Sequence, residues 1–233
     1  MGQNLTTIGF DADDTLWHNE RFFQLTQAHF TDLLADHAER DHLLERLLDA
    51  EKRNIRHYGY GIKGFVLSMI ETAIEVTDDR VPASVIRQLI EAGQEMLAHP
   101  IELLPHAREA IESVAATHQV VLITKGDLID QERKLAQSGL GELFDEVEIV
   151  SEKTPQTYRD IFARHGNGVT QAMMVGNSMR SDVVAPIQAG CWGVYVPHGL
   201  VWEIEQAEIP ENNPKFRELQ DLGQLAELVQ ALG

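Results

Sequence analysis

LTTIGFDADDT, residues 5–15, joins a short β-prone apolar run directly to a cluster of acids. A continuous apolar run of this length is typical of a buried strand in a parallel sheet. Such a strand delivers the acids that follow it to the carboxyl edge of the sheet, where ligands bind in open α/β folds. Alternatively, DADDT is a surface turn rich in helix-capping residues. The remainder of the chain has to distinguish these two interpretations.

After residue 99 the pattern alternates between strand-like and helix-like segments. Strands are predicted over 119–124, 146–150, 172–175 and 192–196. Helices are predicted over 105–117, 128–138, 155–164 and 181–189, with a closing amphipathic helix around 215–231. Strands that alternate with helices indicate βαβ units and a parallel sheet. The predicted core is therefore a Rossmann-like, three-layer α/β/α domain.

Residues 17–99 interrupt this pattern with apolar residues at helical spacing, which predicts four helices of about 15 residues each. The breaks fall near Asp41, around the glycines between 59 and 64, and near Pro82. We therefore predict a core formed by residues 1–16 and 100–233, with an inserted all-helical domain over 17–99. The segment 53–65 of the insert is cationic, aromatic and glycine-rich, which suits either substrate closure or a plain interhelix loop.

Composition limits the classes of partner. The 233 residues carry a formal net charge of −18, which repels nucleic acids and anionic membrane surfaces, so neither is expected as a partner. The single cysteine, Cys191, cannot form an intrachain disulfide, which favours a reducing cytoplasm. Neither a signal peptide nor an apolar window of the roughly 20 residues that a membrane helix needs is recognisable.

The predicted strand ends carry polar residues suited to a phosphate and a metal ion: Asp11, Asp13 and Thr15; Thr124, Lys125 and Gly126; Ser151 and Lys153; Gly176, Asn177, Ser178 and Asp182. Asp11, the first acid after its strand, is the candidate nucleophile, because a carboxylate divides phosphate-ester cleavage into two easier steps. Asp13 is suited to protonate the leaving oxygen and then to activate water. Oxygen ligands so close in sequence suit Mg²⁺.

Four residues are candidates for binding the phosphoryl group. The Thr124 hydroxyl and the backbone amide of Lys125 can donate to one oxygen, and Gly126 leaves room for the backbone to approach. Lys153 is expected as a point charge beside the nucleophile and the phosphate. The side chain of Lys125 either reaches the substrate or faces solvent.

Taken in order along the chain, these strand-end residues resemble the four sequence motifs of the haloacid dehalogenase superfamily. The resemblance covers the whole chain. It is carried by Asp11-Ala12-Asp13-Asp14-Thr15 as the D-x-D-x-T motif, Thr124 as the second, Lys153 as the third, and Gly176-Asn177-Ser178 with Asp182 as the fourth. The helical insert resembles a C1-type cap. Lys125 stands where many relatives have Asn, and Asn177 where they often have Asp.

The resemblance implies a Mg²⁺ ion held by the Asp11 carboxylate, the Asp13 backbone carbonyl and a side chain of the fourth motif. An Asn177 carbonyl can ligate Mg²⁺ but supplies no charge. Asp182 is the alternative, directly or through water, and it is also suited to the N-terminus of its helix.

A magnesium-dependent phosphomonoesterase that acts on a small phosphorylated metabolite, as a monomer or homodimer, is the function expected from these residues. Haloacid dehalogenases resemble this fold but lack an acid at the place of Asp13, so Asp13 favours P–O over C–halogen cleavage. A phosphomutase would use the same core with a cap that excludes water more fully. A non-catalytic binding protein of the same fold is the remaining alternative, favoured only by Asn177.

Overall fold

A computed structural model describes residues 5–232 of the chain. The strands are β1 (Thr7–Phe10), β2 (Gln119–Lys125), β3 (Glu146–Val150), β4 (Ala172–Gly176), β5 (Trp192–Tyr195) and β6 (Phe216–Glu218). The helices are α1 (Glu20–Leu33), α2 (Arg40–Tyr58), α3 (Ile62–Val76), α4 (Ala83–Ala98), α5 (Ala107–Ala115), α6 (Leu128–Ser138), α7 (Pro155–Arg164), α8 (Ala185–Ala189) and α9 (Leu225–Leu232).

The six strands form one sheet in the order β3-β2-β1-β4-β5-β6, and every pair is parallel. β1 lies inside the sheet, between β2 and β4, with Phe10 in register with Leu122 on one side and Val175 on the other. Parallel strands all present their carboxyl ends at the same edge. The predicted Rossmann-like α/β fold is confirmed.

Both faces of the sheet are buried, which explains the continuous apolar runs of its strands. On β2, Val120 and Leu122 pack into a cluster that also contains residues of α5 and α9. Val121 and Ile123 point to the opposite face and pack in a second cluster, with Phe162 of α7. Successive residues of one strand therefore serve two hydrophobic layers, as the three-layer arrangement requires.

Two segments differ from the sequence prediction. The helix predicted around 215–231 is wrong in its first half, where β6 and a short 3-10 helix precede α9. A three-residue strand at the sheet edge has too few residues to show a periodic pattern. The helix predicted over 181–189 begins instead as a π-helical turn at Met179–Val184, which continues into α8.

The chain divides into two compact units. One comprises the residues up to Glu20, Ile101–Lys125 and the residues from Gln131 onward, and it contains the sheet. The other comprises Arg21–Pro100 and Gly126–Asp130, and it contains the four helices expected in the insert. This helical unit has its own apolar core, which includes the fully buried Phe30, Leu43 and Leu89.

Hydrogen bonds join the two segments through which the chain leaves and re-enters the core unit. The amide of His18 donates to the Glu102 carbonyl at 3.0 Å, and the amide of Leu104 donates to the Leu16 carbonyl at 2.9 Å. The indole of Trp17, which lies between these two pairs, is fully buried. The segment that leaves the core unit and the segment that returns to it are thus hydrogen-bonded side by side within that unit.

No helix within residues 5–232 has both the length and the apolar character needed to cross a membrane.

The close packing around Gly9 of β1 generates a stability prediction. A Cβ atom built there would lie 2.9 Å from Ile123 Cδ1 and 3.0 Å from the sulfur of Met174. Gly9→Val should therefore lower the free energy of unfolding by about 1–3 kcal/mol, because an overpacked core forces its neighbours from their preferred rotamers. Urea denaturation measures the loss. Gly199→Val is the matched control, since a Cβ at Gly199 meets nothing within 4 Å, and an equal loss in both variants would contradict the prediction.

Candidate active site

Asp11 stands directly after β1, at the carboxyl edge of the sheet. Its backbone amide donates to the Val175 carbonyl at 2.9 Å, so the parallel pairing with β4 extends to this residue. The chain then turns sharply, with Asp14 in a left-handed conformation at φ 59°. This turn brings the Thr15 hydroxyl back to donate to Asp11 Oδ2 at 3.1 Å. DADDT is therefore a buried strand-end turn, and not the surface turn considered as its alternative.

Lys153 connects two of the predicted site residues. Its ammonium donates to Asp11 Oδ1 at 2.5 Å and to Asp182 Oδ1 at 2.7 Å, and all three side chains are almost fully buried. The lysine follows β3, while the two acids come from the ends of β1 and from the turn after β4. Three strand ends therefore deliver one buried cation and two buried anions to the same point, as the sequence analysis expected of Asp11 and Lys153.

This shared cation sets the electrostatics of the nucleophile. Burial raises the pKa of Asp11 to about 7, and the neighbouring Asp182 carboxylate raises it as well, although Lys153 opposes both effects. Burial alone would lower the pKa of Lys153, but the charges of Asp11 and Asp182 outweigh it and hold that pKa well above its usual value. One ammonium therefore stays charged while two carboxylates compete for it.

The amide group of Asn177 lies among oxygen atoms. It is 3.1 Å from the Asp13 backbone carbonyl oxygen and 3.2 Å from Asp11 Oδ2. With its nitrogen inward, the amide donates hydrogen bonds to both oxygens. With its oxygen inward, it completes a set of three oxygens, which is the donor chemistry that Mg²⁺ prefers and which needs a cation to hold it together. The atoms that the family resemblance assigned to the metal thus converge and fit it.

Both carboxylate oxygens of Asp182 accept hydrogen bonds from protein groups. One of its oxygens accepts from Lys153 and the other accepts from the backbone amide of Ser178 at 3.0 Å. A Cβ on Gly176 would lie 2.4 Å from Asp182 Oδ2, so the carboxylate packs directly against the end of β4. These contacts hold Asp182 beside the ammonium, and they favour Asn177 over Asp182 as the direct metal ligand.

The Asp13 carboxylate is held by three side chains. Trp17 Nε1 donates to it at 2.7 Å, Gln131 Nε2 at 2.8 Å, and Lys134 Nζ contacts its two oxygens at 2.9 and 3.1 Å. Gln131 and Lys134 were not among the site residues predicted from the sequence. Their spacing of three residues on α6 puts both on one helix face, but only the fold shows that this face meets Asp13.

Thr124 and Gly126 also lie at the carboxyl end of β2. Thr124 is buried. Gly126 has a φ of 148°, a backbone conformation that residues other than glycine rarely adopt. Lys125 neither extends into solvent nor stands as an uncompensated charge. Its ammonium donates to Glu205 at 2.5 Å and to the Ser181 hydroxyl at 2.9 Å.

Glu205 is a third residue of the site region, after Gln131 and Lys134, that was not predicted from the sequence. It ends a 3-10 helix, Glu203–Glu205, in the connection between β5 and β6. The sequence around it shows neither a strand pattern nor a recognisable motif, so no local signal could have placed it beside Lys125.

Two cations of the segment 53–65 are paired within the helical unit. Arg53 donates to Glu75 at 3.0 Å, and Lys63 donates to both oxygens of Asp127 at 3.0 Å. Asp127 also accepts the backbone amide of Asp130, near the start of α6. Arg53 and Lys63 therefore each have an acidic partner within this unit.

The parallel sheet and the buried charged groups at its strand ends define an enzyme with a Rossmann-like α/β fold. Residues 5–190 match the haloacid dehalogenase-like hydrolase family, and the chain belongs to this family. A haloacid dehalogenase-like hydrolase from Xanthomonas campestris is 41% identical, with a TM-score of 0.89, and the match covers 99% of this chain and 93% of that one. No curated protein matches the chain.

Two more distant structures share the fold. The HAD hydrolase YfnB from Bacillus subtilis, whose structure contains magnesium, is 16% identical over 97% of this chain and 99% of that one, with a TM-score of 0.66. An L-2-haloacid dehalogenase from Xanthobacter autotrophicus, with chloropropionic acid covalently bound, is 15% identical over 98% of this chain and all of that one, with a TM-score of 0.62.

The raised pKa of Asp11 predicts how the stability of the metal-free protein depends on pH. A folded-state pKa of about 7, against 3.8 for the ordinary group, means that the folded protein binds the proton more tightly than the unfolded chain. The resulting stabilisation is present below about pH 4 and is lost as the pH rises through 7. Between pH 5 and pH 8 the free energy of unfolding should fall by on the order of 2 kcal/mol.

Asp11→Asn removes this titration and serves as the comparison, because every other titrating group is shared. The free energy of unfolding of both proteins is measured by urea denaturation with a chelator present. The value for wild type minus the value for Asp11→Asn should fall as the pH rises from 5 to 8. A constant difference would contradict a raised pKa.

Proposed function

We propose that this hydrolase is a magnesium-dependent phosphomonoesterase that acts on a small phosphorylated metabolite, and that it works in the cytoplasm. The observation that carries the proposal is the pair of environments around Asp11. Its Oδ1 lies 2.5 Å from the Lys153 ammonium, and its Oδ2 faces the Asn177 amide and the Asp13 carbonyl. An anionic nucleophile that must approach an anionic phosphoryl group needs positive charge on both sides.

The metal would be held by Asp11 Oδ2, the Asp13 carbonyl oxygen and the Asn177 amide oxygen. When bound, Mg²⁺ supplies positive charge that neutralises the oxygens of the transferred phosphoryl group. Asp182 supports the site indirectly, since it keeps the Lys153 ammonium beside Asp11.

In the first step, Asp11 Oδ1 attacks phosphorus, and the bond from phosphorus to the ester oxygen breaks. The electron pair of that bond stays on the ester oxygen, which takes a proton from Asp13. Lys153 offsets the charge that develops on the phosphoryl oxygens, and the Thr124 hydroxyl with the Lys125 backbone amide donates to one of them. The product is an aspartyl-phosphate and a free alcohol.

In the second step, water attacks phosphorus and gives its proton to Asp13, which is thereby restored to the acid form. The bond between phosphorus and Asp11 breaks, which returns the Asp11 carboxylate and releases inorganic phosphate. Trp17, Gln131 and Lys134 hold the Asp13 carboxyl group in one orientation throughout, so that it can serve both steps without a rearrangement.

Dehalogenation is the second candidate, because a relative of the same fold carries chloropropionic acid covalently bound. Two features of this chain support phosphoryl chemistry instead. Asp13 supplies a proton donor that a departing halide does not need, and the oxygens around Asn177 form a cation site that supports a dianionic substrate.

The proposal predicts phosphate release from an aryl phosphate that depends on both Mg²⁺ and Asp11. Asp11→Asn should reduce kcat at least about 10³-fold, because the amide cannot form the aspartyl-phosphate, and a chelator should silence the wild type. Phosphate release and chloride release from 2-chloropropionate are measured in parallel. Circular dichroism checks that the variant is folded.

Asp160→Asn is the matched control, since Asp160 is exposed and its carboxylate accepts from Gln156 of the same helix, α7. Near-normal phosphate release by Asp11→Asn would exclude Asp11 as the nucleophile. Chloride release that persists in the presence of the chelator would establish dehalogenation in place of phosphate hydrolysis.

A further inference from the structure

Three lysines lie at or near the carboxyl edge of the sheet, and each is paired with a carboxylate inside the core unit. The pairs are Lys153 with Asp11 and Asp182, Lys134 with Asp13, and Lys125 with Glu205. The first two pairs involve residues of the proposed reaction. Lys125 and Glu205 form a third pair that the reaction does not use.

The Glu205 carboxylate occupies a small binding site made by side chains. Its Oε1 accepts from Lys125 Nζ at 2.5 Å. Its Oε2 accepts from the hydroxyls of Ser178 and Ser181, each at 2.5 Å. The ammonium is also 2.9 Å from the Ser181 hydroxyl, so the three donors form one connected group. One cation and two hydroxyls are a donor set that any carboxylate or phosphate would accept.

This site is largely shielded from water, and Glu205 is charged in it. The side chains of Lys125 and Glu205 are each only 12% exposed. Burial raises the pKa of Glu205, but Lys125 and the two serine hydroxyls outweigh that effect and hold the pKa below its usual value. A pair this shielded is worth more than an exposed ion pair. The other carboxylate near Lys125, that of Glu152, is farther away at 3.6 Å and 37% exposed, so Glu205 is the main partner of the ammonium.

The donors of this site adjoin the reaction site along the chain. Lys125 follows Thr124, one of the proposed phosphate-binding residues, and Ser178 follows Asn177, the proposed metal ligand. Ser181 precedes Asp182 in the same way. Contacts connect the two sites as well, since the Ser178 amide donates to Asp182, which accepts from the Lys153 ammonium beside Asp11. A second acidic group of a substrate bound at Asp11 would be placed to reach these three donors.

We propose that Glu205 is a specificity-determining residue: it acts as an internal carboxylate that fills an anion subsite built by Lys125, Ser178 and Ser181, and it thereby excludes substrates with a second acidic group beside their phosphate. The proposal rests on the proposed phosphomonoesterase function and narrows its substrate class. The preferred esters carry an uncharged group, such as a hydroxyl, next to the phosphate. Exclusion has two causes, because the donors are already occupied and because the Glu205 charge repels a second anion.

The first test compares two esters that differ in one group. Phosphoglycolate carries a carboxylate where hydroxyethyl phosphate carries an uncharged hydroxymethyl group. The ratio of kcat/KM for these two compounds is measured with wild type, Glu205→Gln and Glu205→Ala. Glu205→Gln removes the charge but keeps the site filled, whereas Glu205→Ala removes the charge and empties it.

Wild type should favour hydroxyethyl phosphate. Glu205→Ala should shift the ratio toward phosphoglycolate by about tenfold or more, with Glu205→Gln between the two, because a shielded charge pair easily accounts for a factor of that size. Glu203→Gln is the matched control, since it removes one charge from an exposed position of the same 3-10 helix. A wild type that prefers phosphoglycolate, or variants that lose activity equally on both esters, would overturn the proposal.

The second test does not depend on turnover. Sodium acetate should raise the thermal midpoint of Glu205→Ala relative to sodium chloride at equal ionic strength, because the emptied subsite binds acetate in the folded state. For wild type and for Glu203→Gln, the thermal midpoint in sodium acetate should equal the thermal midpoint in sodium chloride. The absence of a specific acetate effect on Glu205→Ala would reject the subsite. If wild type hydrolyses no phosphate ester, the proposed function fails, and the acetate comparison still decides the role of Glu205.

Discussion

A single buried ammonium organises the core of this protein. Lys153 contacts Asp11 and Asp182 with almost no exposure to water, and a buried charge is tolerated only when it is paired at close range. The three groups come from different strand ends, so the ammonium can be satisfied only if β1, β3 and β4 end at matching depths. The parallel register of the sheet provides this match, since Phe10 of β1 is aligned with residues of both β2 and β4, and β2 is aligned in turn with β3. The register of the sheet therefore determines whether Lys153 can reach both of its acidic partners.

The same arrangement explains why an amide can stand at position 177. Asp11 and Asp182 already bring two negative charges to one lysine in a buried cluster, and a carboxylate at position 177 would add a third beside it. An asparagine offers an oxygen to a cation and a nitrogen to the surrounding oxygens when no cation is bound. With one rotation of its amide, Asn177 would suit the proposed metal-bound site as well as the metal-free one, without further charge repulsion.

Prediction from the sequence succeeded where local patterns carry the information. Apolar runs such as QVVLIT, residues 119–124, identified the interior strands, and helical spacing identified all four helices between 20 and 98. The position of Asp11 next to Lys153 followed from the rule that parallel strands end at one edge. Lys134 and Glu205 could not be found in this way, because each meets its partner across about 80 residues or more and lies in a segment without a distinctive motif. Likewise, β6 is three residues long and shows no period.

The backbone segments Leu16–His18 and 102–104, which are hydrogen-bonded to each other, form a junction at which one inserted domain could replace another in evolution. Because these segments bond to each other, the core folds around a closed junction whose geometry does not depend on what the chain does between them. The entropy of closing a loop grows only slowly with its length, so some eighty intervening residues burden the sheet little more than a short turn would. Recombination at this junction could exchange one insert for another and leave the strand register and the buried ion cluster intact. The helical insert and the strand-end chemistry of the core can thus be inherited as separate parts.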